Sequence, residues 1–127
     1  MKQKLPKTAS PQGMLSLFLP SGLLDYFDLV NHVSQDTCFI LFLEEKPSIP
    51  QEYSHLHLHS KGFFPEIEVQ DFPIRGKAVY LRVKRRRWED PETGQTYSRD
   101  WNLVASGTRI TAEFGVFLKA LLGQSCG

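Results

Sequence analysis

Seven of the chain's fifteen lysines and arginines fall in residues 75–88, RGKAVYLRVKRRRW, a segment with no acidic residue. So dense a run of fixed positive charge is chemically suited to holding polyanions. Each phosphate neutralised by Lys or Arg releases counterions, so about four contacts give a log–log salt slope near −3.6, at roughly −0.9 per phosphate. In an extended strand Tyr80, Arg82, Lys84 and Arg86 share the outward parity and Arg85 and Arg87 the other. A two-stranded ribbon carrying such residues can enter a groove or follow the phosphate backbone. Two blander readings compete: a solvated strand whose charges guard an edge, and a strand that meets an acidic protein partner. Four consecutive cations at 84–87 exceed what edge protection requires.

Other residue types capable of chemistry are sparser. His55, His57 and His59 alternate with leucines, and on one strand face two of them could share a metal ion. The first and third would stand about 13 Å apart at ~3.3 Å per residue, so one ion could not take all three. His32 and Cys38 are conceivable further donors, but a polar solvent face opposite Leu56 and Leu58 is the simpler reading, and no metal or cofactor is expected. Asp71, Glu89, Asp90, Glu92 and Asp100 could supply carboxylates to a metal-dependent nuclease, yet no recognisable spacing links them. Asp90, Pro91 and Gly94 read as turn chemistry, and Asp100 as a partner for the arginine-rich strand. No Ser–His–Asp logic, phosphate-cradling glycine loop or zinc-helix motif is present, so catalysis within this chain is not expected.

The elements that must position these residues read as α+β. Residues 1–14 have little to bury and read as a disordered tail, 15–123 as a single domain, and 124–127 as a second tail. Ser21 could cap a short N-terminal helix running to about Phe27. Strands are expected at 27–35, 37–46, 55–64, 66–72 and 77–88, with Val79, Leu81 and Val83 inward. The strand at 37–46 is apolar on both faces and reads as central. After a turn at 89–95, a returning strand at 96–105 would complete a basic hairpin spanning 77–104. Thr108 or Thr111 would cap a last helix, 112–122, whose Phe114, Phe117, Leu118, Leu121 and Leu122 form one stripe. That stripe is core or, in a functional reading, a docking face. The sheet should be mostly antiparallel, with a short helix before it and a C-terminal helix after it.

Composition bounds the partners. The net charge is +1, yet residues 75–87 alone carry +7, so a partner would feel a local patch. Cys38 and Cys126 are the only cysteines, too few for a disulfide scaffold or a four-cysteine zinc site, and they suggest a reducing cytosol. The apolar run at 14–20 is too short to span a bilayer, and no small-residue cleavage site follows it.

QDFPIRGKAVYLRVKRRRW, followed by ETGQTYSRDWNLVASGTRITAEFGVFLK, resembles the N-terminal region of bacterial insertion-sequence transposases of the ISAon type. PSGLLDYFDLV and SKGFFPEIEVQDF fit the same pattern, so the resemblance runs from about residue 21 to 121. It extends distantly to ISL-three-type transposases, from which this chain departs by having EDPETGQTYSRDW where paired zinc-binding cysteines would fall. The resemblance implies a non-catalytic front piece that contacts the double-stranded DNA of transposon ends in the bacterial cytoplasm and nucleoid. The acidic catalytic triad would then lie in a separately encoded subunit. Phosphate contact is expected from Arg75, Lys77, Arg82, Lys84, Arg85, Arg86 and Arg87, with Arg99 and Arg109 as further candidates. Tyr80 could stack on bases, whereas Trp88 and Trp101 are expected to pack. The alternative function is an adaptor that docks on the catalytic subunit and leaves DNA contact to it.

Overall fold

Apolar alternation decides where the strands lie. The computed structural model describes residues 19–20, 22–107 and 112–123. Seven strands follow one another: β1 (Phe27–Ser34), β2 (Cys38–Glu45), β3 (His59–Phe63), β4 (Ile67–Ile74), β5 (Lys77–Lys84), β6 (Arg86–Glu89) and β7 (Thr96–Tyr97). Among the described residues two α-helices follow the strands, α1 (Trp101–Gly107) and α2 (Ala112–Gly123). Four strands form one sheet in the order β1-β2-β5-β4, and three short ones form a second, β3-β6-β7. The small α+β character expected from the sequence is therefore present.

The larger sheet has two unlike faces because its strands alternate. Leu41, Leu43, Val69, Val79, Leu81 and Val83 point to one side and are buried. Against them pack Leu19, Leu23, Phe27 and the α2 residues Phe114, Phe117, Leu118 and Leu121, so the α2 stripe is core. The ring of Phe27 stacks on Trp101 at 5.3 Å and meets Phe117 edge-on at 5.9 Å. Burying each such side chain contributes about 1.5–3 kcal/mol, so this one layer accounts for most of the domain's cohesion. On the other side, the register sets Val33 opposite Ile40, Ile40 beside Tyr80, and Phe42 beside Arg82. Those residues are half-buried or exposed and lie outside the core cluster.

Several expectations are corrected. The N-terminal helix does not form: Leu23–Asp25 is one 3-10 turn, and Phe27 already begins β1. Gly22 precedes that turn at φ 97, where a Cβ would lie 3.1 Å from the Phe114 ring. The mostly antiparallel sheet expected from the sequence is present, with one exception: the central pair of the larger sheet, β2 and β5, is parallel. The strand expected at 55–64 shortens to β3, since the N–H of Leu56 closes a turn onto the carbonyl of Tyr53.

The strand expected at 77–88 divides at Arg85 and serves both sheets, β5 in one and β6 in the other. The returning strand at 96–105 is also replaced. Only Thr96–Tyr97 pairs with β6, and α1 follows. Asp100 explains the switch: its Oδ1 accepts the N–H groups of Asn102 and Leu103, as a helix N-cap does. The supposed basic hairpin 77–104 is thus two strands, a turn, a two-residue strand and a helix. The cap positions Ser21, Thr108 and Thr111, the tails 1–14 and 124–127, and Cys126 lie outside the described residues.

Candidate nucleic-acid interface

The expected phosphate-binding residues divide into those turned inward and those left outward. Division of the strand at Arg85 turns Arg86 toward Glu45 instead of along the outward parity of Tyr80, Arg82 and Lys84. The Arg86 backbone N–H donates to Glu45 Oε1 at 2.9 Å, and its Nε donates to the Glu45 carbonyl at 3.0 Å. Its Nη1 reaches Ser60 Oγ at 2.6 Å, and the guanidinium lies 4.6 Å from the Phe63 ring centroid. Arg99 approaches the same carboxylate from the α1 side, with Nε 2.9 Å from Glu45 Oε2 and Nη2 donating to the Ser48 carbonyl. Burial pushes the Glu45 carboxyl above its ordinary value, while the hydrogen bonds and charges of Arg86 and Arg99 oppose the rise without cancelling it.

The sequence reading missed Glu45. Its signal was present: in LFLEE, residues 41–45, Glu45 follows Leu41 and Leu43 at the buried parity. A carboxylate at a core position requires a cation; Arg99 supplies it, and the basic run adds the backbone N–H of Arg86.

Arg82 is also engaged, with Nε 2.8 Å from Glu68 Oε1 and Nη1 3.6 Å from Glu66. The remaining five cations of the run have no carboxylate partner among the described residues. Lys77 sits 4.3 Å over the Phe39 ring and 3.4 Å from Ser34 Oγ. Lys84 lies 6.0 Å from the Phe63 ring, and Arg85 lies 5.8 Å from that of Phe64. Arg75 and Arg87 are exposed. Arg85 is half-buried, and its Nε has no acceptor among the described residues. It lines a cleft of about 300 Å³ with Tyr53, Ser98, Arg99, Asp100, Asn102 and Leu122. In that cleft the Tyr53 hydroxyl donates to the Ser98 carbonyl, and burial, then the charges of Glu52 and Asp100, push its pKa up. Arg109 lies outside the described residues.

The cations occupy two places. Arg75 and Lys77 are at the β4–β5 turn; Lys84, Arg85 and Arg87 are at the far end of β5, where the chain crosses between sheets. The turn itself is unusual. Ile74 pairs with Lys77, leaving Arg75 and Gly76 as a two-residue loop with φ of 52 and 80. Positive φ at both positions matches the twist of a hairpin, but it favours Asn, Asp or Gly at the first.

The other candidate groups scatter. His59 is in β3 whereas His55 and His57 precede it, so the three do not share a strand face. No group of three His, Cys, Asp or Glu side chains among the described residues could hold a metal ion. Glu89 pairs with Lys61 at 3.4 Å, and Asp90 accepts the Glu92 N–H within its turn. Asp100 caps α1 instead of pairing with the arginine-rich strand. Trp88 and Trp101 are buried and pack, as expected. No described helix is long and apolar enough to cross a membrane. Comparison with protein-family models, with curated proteins and with solved structures gives no match.

Proposed function

We propose that this chain is a non-catalytic, DNA-binding accessory part of a bacterial insertion-sequence transposase, acting on transposon-end duplexes beside a separately encoded catalytic subunit. The carrying observation is that five of the seven cations in 75–87 have no carboxylate partner among the described residues, although the chain holds fourteen acidic side chains. Unpaired Lys and Arg concentrated on one β-strand and its two ends form an electrostatic footprint for a polyanion. The resemblance of residues 71–88 and 98–105 to transposase N-terminal regions supplies the biological setting, the bacterial cytoplasm and nucleoid. In this reading Arg75, Lys77, Lys84, Arg85 and Arg87 contact phosphate, while Arg82, Arg86 and Arg99 shape the scaffold.

The test is duplex binding at two salt concentrations, with terminal-repeat DNA against scrambled DNA. Salt-sensitive binding is expected, with a log–log slope of about −3.6 if four phosphates are neutralised. Absence of binding at low salt would overturn the reading. One observation favours a second reading, an adaptor: Val33, Ile40, Phe42 and Tyr80 form an apolar strip on the sheet face opposite the helices. Co-purification with the catalytic subunit, without any affinity for DNA, would select it.

A further inference from the structure

We propose that the β4–β5 turn is a minor-groove probe, with the Arg75 guanidinium entering narrow, A·T-rich stretches of the duplex. The inference rests on the reading of the chain as a duplex-DNA binder and adds to it a mode of sequence preference.

Three observations converge on this turn. First, Arg75 holds a backbone conformation that its side chain does not favour, at φ 52. Asn at the first loop position and Gly at the second would serve the turn better, and Gly76 already occupies the second. A residue kept against local preference on an exposed tip points to a task for its side chain. Second, Arg75 is exposed and has no carboxylate partner among the described residues. The turn is open locally: Gly76 is exposed, and a Cβ built on it meets nothing within 4 Å. Third, Phe72, three residues before it in β4, is the most exposed large apolar side chain among the described residues, at 55%. An exposed aromatic ring on the strand that leads to an exposed cation suits contact with sugar edges and a groove wall.

The dimensions select the groove. The minor groove is about 6 Å wide and admits a guanidinium but not a two-stranded ribbon. Where A·T tracts narrow it, its negative potential deepens and draws in arginine. The guanine 2-amino group both obstructs the groove floor and adds a donor between the two acceptors. A tip that presents one arginine therefore discriminates A·T from G·C without reading individual bases.

The full chain is titrated against three duplexes of equal length at one salt concentration: an A-tract, a G·C-rich sequence, and the same G·C-rich sequence with inosine replacing guanine. Inosine removes the 2-amino group from the minor groove and leaves the major-groove edge unchanged. The wild type is expected to prefer the A-tract about tenfold over the G·C duplex, and inosine should recover most of that difference. Arg75→Asn should abolish the preference, flatten the salt slope by about 0.9 and leave Tm unchanged or raised. Equal wild-type affinity for all three duplexes would overturn the probe while leaving DNA binding intact, as would an Arg75→Asn chain that keeps the preference. Failure to bind any duplex at low salt would remove the DNA reading and the probe with it.

Discussion

Arg99 Nε donates to Glu45 Oε2 at 2.9 Å, and the two side chains are 9% and 0% exposed. Arg86 binds the same residue through its backbone N–H and its Nε. A carboxylate at the end of the large sheet is thus clasped by the first residue of β6 in the small sheet and by the segment that leads into α1. Removing one member leaves the others charged and dry, which generally costs about 3–5 kcal/mol. Glu45→Ala should lower unfolding stability by about that amount in urea denaturation, and Arg99→Ala by a similar amount. A loss below about 1 kcal/mol, the range of exposed pairs, would mean that the clasp is decorative.

The same carboxyl makes stability depend on pH. Its pKa in the folded chain is raised above the ordinary value by burial. The folded state therefore holds its proton more tightly than the unfolded chain does. The resulting stability is fully present below the ordinary carboxylate range and is lost as pH rises through the raised value. Glu45→Gln removes this titration. Urea midpoints of wild type and Glu45→Gln, followed from pH 4 to 7, should change in the wild type's disfavour as pH rises. Parallel curves would refute the assignment.

The two classes of arginine should separate by phenotype. Lys84→Glu with Arg87→Glu reverses charges that have no carboxylate partner, so duplex affinity should fall and the salt slope flatten by about 1.8, with Tm nearly unchanged. Arg86→Glu sets a second carboxylate against Glu45, so Tm should drop whether or not DNA is present. The reverse pattern would contradict the division between scaffold and contact residues.

Asp100 should behave as a helix cap. Asp100→Ala leaves the N–H groups of Asn102 and Leu103 without their acceptor and should cost about 1 kcal/mol, while Asp100→Ser restores most of it. Thermal unfolding of the two variants checks this. An Asp100→Ala chain as stable as wild type would show that α1 is held by Trp101 packing alone.

The parts of the fold legible in the sequence were those written as alternation. Val79, Leu81 and Val83 identify β5, Leu41 and Leu43 identify β2, and the spacing from Phe114 to Leu121 identifies α2. Alternation gives the inward face of a strand but not its neighbour, so the parallel β2–β5 pair was invisible. The unbroken basic run concealed the division at Arg85, because charge carries no mark of where a strand leaves a sheet. Helix α1 was misread because TYSRDWNLVA is rich in strand-favouring residues. The capping aspartate before Trp101 outweighs that preference locally. At the candidate interface the basic residues themselves were legible. Which of them would turn inward depended on Glu45, whose parity was readable but whose partners were not.

The parallel central pair also governs the order of assembly. β1–β2 and β4–β5 are antiparallel hairpins that can close soon after their residues emerge. The β2–β5 seam joins residues far apart in the chain and must await the whole of 46–76. During synthesis, Cys38–Glu45 therefore waits with one side unpaired and both faces apolar, a surface that invites wrong neighbours. The pairing of the two hairpins along that seam is therefore the step expected to be slowest and most open to aggregation.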